Sequence, residues 1–73
     1  MKTLKDLAAG QNGVVAKVDT TGVLKQRLVD MGITKGTEVS VIKVAPLGDP
    51  IQIEIRGYDL SIRKADAEKI LIK

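Results

Sequence analysis

The chain has 73 residues, of which 44% are hydrophobic, and its 12 Lys and Arg exceed its 9 Asp and Glu to give a formal charge of +3. This length and balance predict one small globular domain over residues 1–73 and exclude a disordered tail or a membrane segment. Because Cys and His are both absent, disulfide frameworks and the usual zinc ligands are excluded as well, and we expect a cytoplasmic protein.

The first third of the chain predicts a short helical turn followed by a strand. Thr3 is placed to cap the turn at its N-terminus. Residues 14–18 are short and rich in valine, as is typical of a strand, and strict alternation predicts that Val14, Ala16 and Val18 share one face.

A helix is predicted over residues 22–31. Its apolar positions follow the helical i, i+4, i+7 spacing: Leu24, Leu28 and Met31. Gly32 fits the left-handed position that commonly follows a helix, and this geometry would bring the next residue, Ile33, against Leu28. The sequence therefore predicts both where the helix ends and how the chain turns back.

The middle of the chain predicts three strands. Residues 37–45 are rich in β-branched side chains, but the apolar face changes near Val41 and Ile42. Either a barrel covers both faces or a bulge exchanges them, and we favour a barrel in which the bulge forms a corner. Residues 51–55 and 58–62 alternate apolar and polar side chains, which predicts a hairpin with one solvated face.

The end of the chain adds a short helical segment over residues 64–69 and an apolar strand over residues 70–72. Turns that recur every few residues between short strands are typical of small barrels. We therefore predict a mainly β fold, a small SH3-like barrel of about five strands with a helical insertion at about residues 22–31 and two short helical turns.

Catalytic and nucleic-acid-binding patterns are missing from the sequence. No His or Cys is present to act as a poised base or nucleophile, and no glycine-rich phosphate loop occurs. Tyr58 is the one aromatic residue, and we expect its ring at the edge of the core with the hydroxyl in water. Base stacking and proline-rich peptide docking both require several exposed rings. We predict neither an enzyme nor a nucleic-acid-binding protein.

Elimination leaves an interaction module, and the predicted helix offers one candidate surface. Val29 lies off the apolar stripe, beside Lys25, at 100° per residue. An apolar side chain outside the buried stripe indicates a contact surface, although a singly exposed valine is also common. Lys25 and Val29 are therefore candidate partner contacts.

The segment Ala-Pro-Leu-Gly-Asp-Pro over residues 45–50 offers a second candidate surface. Its prolines and its glycine are explained by the chemistry of a bend that joins two strands. Leu47 and Asp49 have no such explanation, so both are candidate partner contacts at the tip of the bend.

These motifs together resemble the FeoA family, that of ferrous iron transport protein A, over essentially the whole chain. The residues that carry the resemblance are Arg27, Leu28, Gly32, Gly36, the run Pro46 to Pro50, Arg56, Gly57, Arg63, Ala67 and Ile70. The chain departs from the family pattern at Met31, where Leu is usual, and at Lys35, where Pro is frequent. The same module is similar to the C-terminal domain of metal-dependent repressors.

The resemblance implies an SH3-like barrel and a cytoplasmic accessory that binds FeoB, a membrane ferrous iron transporter with a cytosolic G-protein domain. It implies that the protein has no tightly bound cofactor and that Fe²⁺ is connected with it only through its function in iron uptake. The alternatives are a metal-responsive regulator or Fe²⁺-binding module, and a general SH3-like peptide adaptor. No pattern indicates self-association, and none indicates whether the accessory activates or inhibits its partner.

Overall fold

The computed structural model describes residues 2–73, which form five antiparallel strands and three short helical elements. In chain order these are a 3₁₀ turn (Leu4–Asp6), β1 (Asn12–Val18), α1 (Gly22–Asp30), β2 (Glu38–Val44), β3 (Ile51–Ile55), β4 (Tyr58–Ile62), α2 (Lys64–Ala67) and β5 (Ile70–Ile72). This order confirms the predicted mainly β fold, with one helix inserted after the first strand. Of the described helices, none is long and apolar enough to cross a bilayer.

The five strands form one sheet in the order β4-β3-β2-β1-β5. The outer edge of β5 is covered by the N-terminal segment, because the N–H of Ile72 donates to the carbonyl of Lys2 and Thr3 pairs with Leu71. Among residues 2–73, the opposite edge strand, β4, pairs with β3 alone. The barrel is therefore open beside β4.

The core is aliphatic and draws on every strand. Its buried side chains are Leu4, Leu7, Val15, Val18, Leu28, Ile33, Val39, Val41, Ile51, Ile53, Ile55, Ile62, Ala67, Ile70 and Ile72. Complete burial of one such valine, leucine or isoleucine contributes about 1.5–3 kcal/mol. The core therefore stabilises a chain of this length without aromatic side chains.

Strand β2 contains the bulge that the sequence offered as one alternative. Its register with β3 shifts between Val41 and Lys43, so Ile42 is the additional residue and its side chain is 45% exposed. Val39 and Val41 are buried before the bulge, and Val44 packs against the core after it. The bulge therefore keeps Val39, Val41 and Val44 on the core face and leaves Ile42 partly in solvent.

The predicted faces of β1 are wrong. Val15 and Val18 are buried, whereas Val14 and Ala16 are half-buried. The register between β1 and β5 shifts between Val15 and Lys17, which makes Ala16 an additional residue. This second bulge breaks the strict alternation on which the prediction was based.

The end of α1 confirms the predicted stop. Gly32 has a φ of 95°, and its N–H donates to the carbonyl of Val29 at 2.9 Å. The N–H of Ile33 donates to the carbonyl of Leu28 at 3.0 Å, and both of these side chains are buried. These two bonds define a Schellman motif, which directs the chain back toward the sheet.

Tyr58 departs from its predicted place at the edge of the core, because its side chain is 73% exposed. Arg56 and Gly57 have φ values of 52° and 85° and form the two-residue turn between β3 and β4. Tyr58 pairs across this turn with the buried Ile55, but it lies on the edge strand. The core therefore covers Ile55 and leaves the tyrosine ring in solvent.

Candidate functional site

A groove of about 330 Å³ lies between α1 and the second half of β1. It combines three lysines with small and apolar side chains, and its lining residues are Ala16, Lys17, Val18, Lys25, Val29, Thr34 and Lys35. We call it the α1–β1 groove. Val18 is buried and Val29 is 37% exposed, so the floor of the groove is apolar while its lysines lie in solvent.

The turn that follows α1 holds the groove in shape. The N–H of Gly36 donates to the carbonyl of Val15 at 2.8 Å, and the N–H of Val15 donates to the carbonyl of Thr37 at 2.9 Å. The hydroxyls of Thr34 and Thr37 are hydrogen-bonded at 2.9 Å. These bonds fix the turn, and with it Lys35, against β1.

The positive charges of the groove lysines are only weakly compensated by carboxylates of residues 2–73. Nζ of Lys17 lies 3.7 Å from a carboxylate oxygen of Asp19, and both side chains are mostly exposed. An exposed pair of this kind contributes about 0–1 kcal/mol. Lys25 and Lys35 form no ion pair with any of residues 2–73. The groove is therefore positively charged around an apolar floor.

The structure brings two of the four predicted contact residues together. Lys25 and Val29 both line the α1–β1 groove. Leu47 and Asp49 lie in the bend between β2 and β3 and do not line it. Partner contact by any of the four residues stays a prediction.

The bend over residues 45–50 is built by hydrogen bonds, as the sequence indicated. The N–H of Gly48 donates to the carbonyl of Ala45 at 2.7 Å. The carboxylate of Asp49 accepts a hydrogen bond from the backbone N–H of Lys64, the first residue of α2, at 3.0 Å. Asp49 therefore ties the bend to α2 and is not free, whereas the side chain of Leu47 is 92% exposed.

Of the seven lining residues, sequence reasoning identified only Lys25 and Val29, and it missed the other two lysines, Lys17 and Lys35. The periodicity of β1 places Lys17 in solvent, and a turn residue such as Lys35 is exposed in most folds. Nothing in either pattern shows that both residues line one groove with Lys25 of α1. That proximity depends on how α1 packs against the sheet.

The acidic side chains of residues 2–73 form no group that could hold a metal ion. Asp6 has a perturbed pKa, which is lowered mainly because its carboxylate accepts a hydrogen bond from the backbone N–H of Thr3 at 2.9 Å. This bond stabilises the N-terminal 3₁₀ turn, so the shift has a structural cause.

Comparison with known proteins gives several matches. A family model described as the FeoA domain matches residues 2–73. The chain is 36% identical over 70 residues to an Fe(2+) transport protein A/Fe(2+) transporter FeoB fusion protein of Porphyromonas gingivalis, a match over 96% of this chain and 8% of the fusion protein. The solution structure of iron(II) transport protein A from Clostridium thermocellum is 33% identical, with a TM-score of 0.95 over 99% of this chain and 44% of that one. This chain therefore spans less than half the length of both proteins.

More distant structures share the fold. The crystal structure of Stenotrophomonas maltophilia FeoA complexed with zinc, described as an SH3 domain protein, is 23% identical, with a TM-score of 0.88 over 100% of this chain and 91% of that one. Metal-dependent repressors are also structural neighbours, at 15% to 21% identity. These neighbours confirm the predicted SH3-like fold and its similarity to a domain of metal-dependent repressors.

Proposed function

Because this chain belongs to the FeoA family, we propose that it is a cytoplasmic accessory of ferrous iron uptake that binds the cytosolic part of a FeoB-type membrane transporter. The FeoA domain is an iron transport accessory, and the observation that carries the proposal is its fusion to FeoB in the Porphyromonas gingivalis relative. Joining two modules in one chain raises the effective concentration of each around the other. Such a link favours proteins that act on one another.

The α1–β1 groove is the surface that best fits this contact. Protein interfaces combine an apolar centre with a polar rim, and the groove surrounds the partly exposed Val29 with lysines. The neighbouring Leu28 anchors α1 in the core, so Val29 is presented from a fixed helix. We propose Val29 and Lys25 as its central contacts.

The proposed accessory acts by binding and has no catalytic step of its own. Fe²⁺ would be the cargo of the partner, in keeping with the Fe(2+) transporter FeoB to which the Porphyromonas gingivalis relative is fused. This chain has no His or Cys to offer that ion as a ligand.

The test is co-purification with the full-length FeoB-type transporter. Val29→Asp places a carboxylate on the apolar floor, and we expect it to reduce the retained protein strongly without unfolding the chain. Val23→Asp is the matched control, because Val23 lies on the same helix, is 78% exposed and does not line the groove. Equal retention of wild type, Val29→Asp and Val23→Asp would refute the groove as the contact. Failure of the wild-type chain to bind would refute the function itself.

A further inference from the structure

The chemistry of the α1–β1 groove restricts what can occupy it. Lys17, Lys25 and Lys35 approach the groove from a strand, a helix and a turn, so positive charge surrounds it on several sides. Of these three lysines, only Lys17 has a carboxylate partner within residues 2–73, and that ion pair is exposed and long. We propose that the groove binds an acidic segment of the transporter, with an apolar side chain on Val29 and carboxylates on the lysines. This inference rests on the function proposed above.

Charge complementarity is the first argument for an acidic occupant. Lysines held near one another repel, and carboxylates that approach from a partner relieve this repulsion and steer the encounter. Each ammonium group offers three hydrogen-bond donors and no acceptor, so it selects for carboxylate or carbonyl oxygens. A neutral segment could offer only carbonyl oxygens, and a basic segment would add to the repulsion, so an acidic segment gains the most from these three charges.

The shape of the groove is the second argument, and it favours a short peptide segment over an anionic lipid surface. Its volume of about 330 Å³ is near the lower end of the range of ligand pockets, about 300–1,000 Å³. A concave site with Val29 on its floor suits a few side chains of a segment that enters it. A membrane surface instead favours cations on a face that can lie flat against the headgroups.

The experiment measures the affinity of the full chain for the full-length FeoB-type transporter in nanodiscs of neutral lipid. The test variant is the double substitution Lys25→Glu with Lys35→Glu. The control is Lys43→Glu with Lys64→Glu, which makes the same change in net charge at two exposed lysines outside the groove. We expect the test variant to bind at least about tenfold more weakly, a loss of about 1.4 kcal/mol, and the control to stay within about twofold of wild type.

A second pair of variants separates charge from packing. Val29→Lys and Val29→Asp both remove the apolar contact, but only the aspartate repels an acidic segment. We therefore expect Val29→Asp to bind more weakly than Val29→Lys. Circular dichroism and a thermal melt of each variant show that it is folded before its affinity is compared.

The outcomes distinguish this inference from the function on which it rests. If the wild-type chain does not bind the transporter, the proposed function and the acidic segment both fail. If it binds and the two double variants behave alike, the function stands and the acidic segment is refuted. Loss of binding to phosphatidylglycerol vesicles in the test variant, with transporter binding unchanged, would identify the groove as a lipid site and also refute the inference.

Discussion

Position 13 in β1 is a glycine because a larger side chain has no room there. A Cβ atom at this position would lie 2.6 Å from Cγ2 of Ile72 and 3.6 Å from Cδ1 of Leu7, and both of these side chains are buried. Cγ2 is bonded directly to the branched Cβ of Ile72, so it moves only if the whole side chain rotates. The substitution Gly13→Ala therefore forces β1 and β5 apart or moves Ile72 out of its rotamer.

The magnitude follows from two opposing effects. Overpacking a core costs about 1–3 kcal/mol, and replacing glycine lowers the entropy of the unfolded chain, which returns about 0.4–1 kcal/mol. We expect Gly13→Ala to lower the free energy of unfolding by about 1–2 kcal/mol, or the Tm by about 4–8 °C for each kcal/mol. Urea and thermal unfolding followed by circular dichroism measure both quantities.

A double-mutant cycle identifies the cause. Ile72→Ala removes Cγ2, so Gly13→Ala should cost less in that background than in the wild type. An unchanged or raised Tm for Gly13→Ala would contradict the reasoning, as would an equal cost in both backgrounds.

Three further predictions concern acid stability, metal and the bend. The pKa of Asp6 is lowered from its usual 3.8, so the ionised carboxylate stabilises the fold above that pH, and this stabilisation is lost as the pH falls through the folded-state pKa. Between pH 5 and pH 2, the Tm of Asp6→Asn should therefore fall less steeply than the Tm of the wild type. Anaerobic calorimetry with Fe²⁺ should give no micromolar binding, and a micromolar Kd would refute the ligand argument. Leu47→Ser with Asp49→Asn should leave transporter binding unchanged if the α1–β1 groove is the contact, because neither residue lines it. Weaker binding would add the bend to the contact surface.

Features of the fold that depend on neighbouring residues could be predicted from the sequence. The Schellman stop needs only Gly32 and the apolar Leu28 and Ile33, which lie within five positions of one another. The hairpin over residues 51–62 is specified by alternation and a two-residue turn. Such local signals are sufficient because the atoms that form these bonds are close along the chain.

Features that depend on distant partners could not be predicted. The bulge at Ala16 is defined by the pairing of β1 with β5, which lies more than 50 positions away along the chain. The bond from Lys64 to Asp49 spans 15 positions, so the carboxylate looked free in the sequence. The candidate site shows the same limit, because helical geometry identified Lys25 and Val29 but not the lysines that the sheet and the turn bring beside them.

Hydrogen exchange of this chain, alone and bound to the full-length transporter in nanodiscs, tests the central claim most directly. If the α1–β1 groove is the docking surface, binding should slow exchange in peptides that cover residues 16–18 and 25–35. Peptides that cover the open edge strand β4 and the bend over residues 45–50 should exchange as in the free chain. Protection confined to β4 or to the bend, with α1 unchanged, would contradict the account.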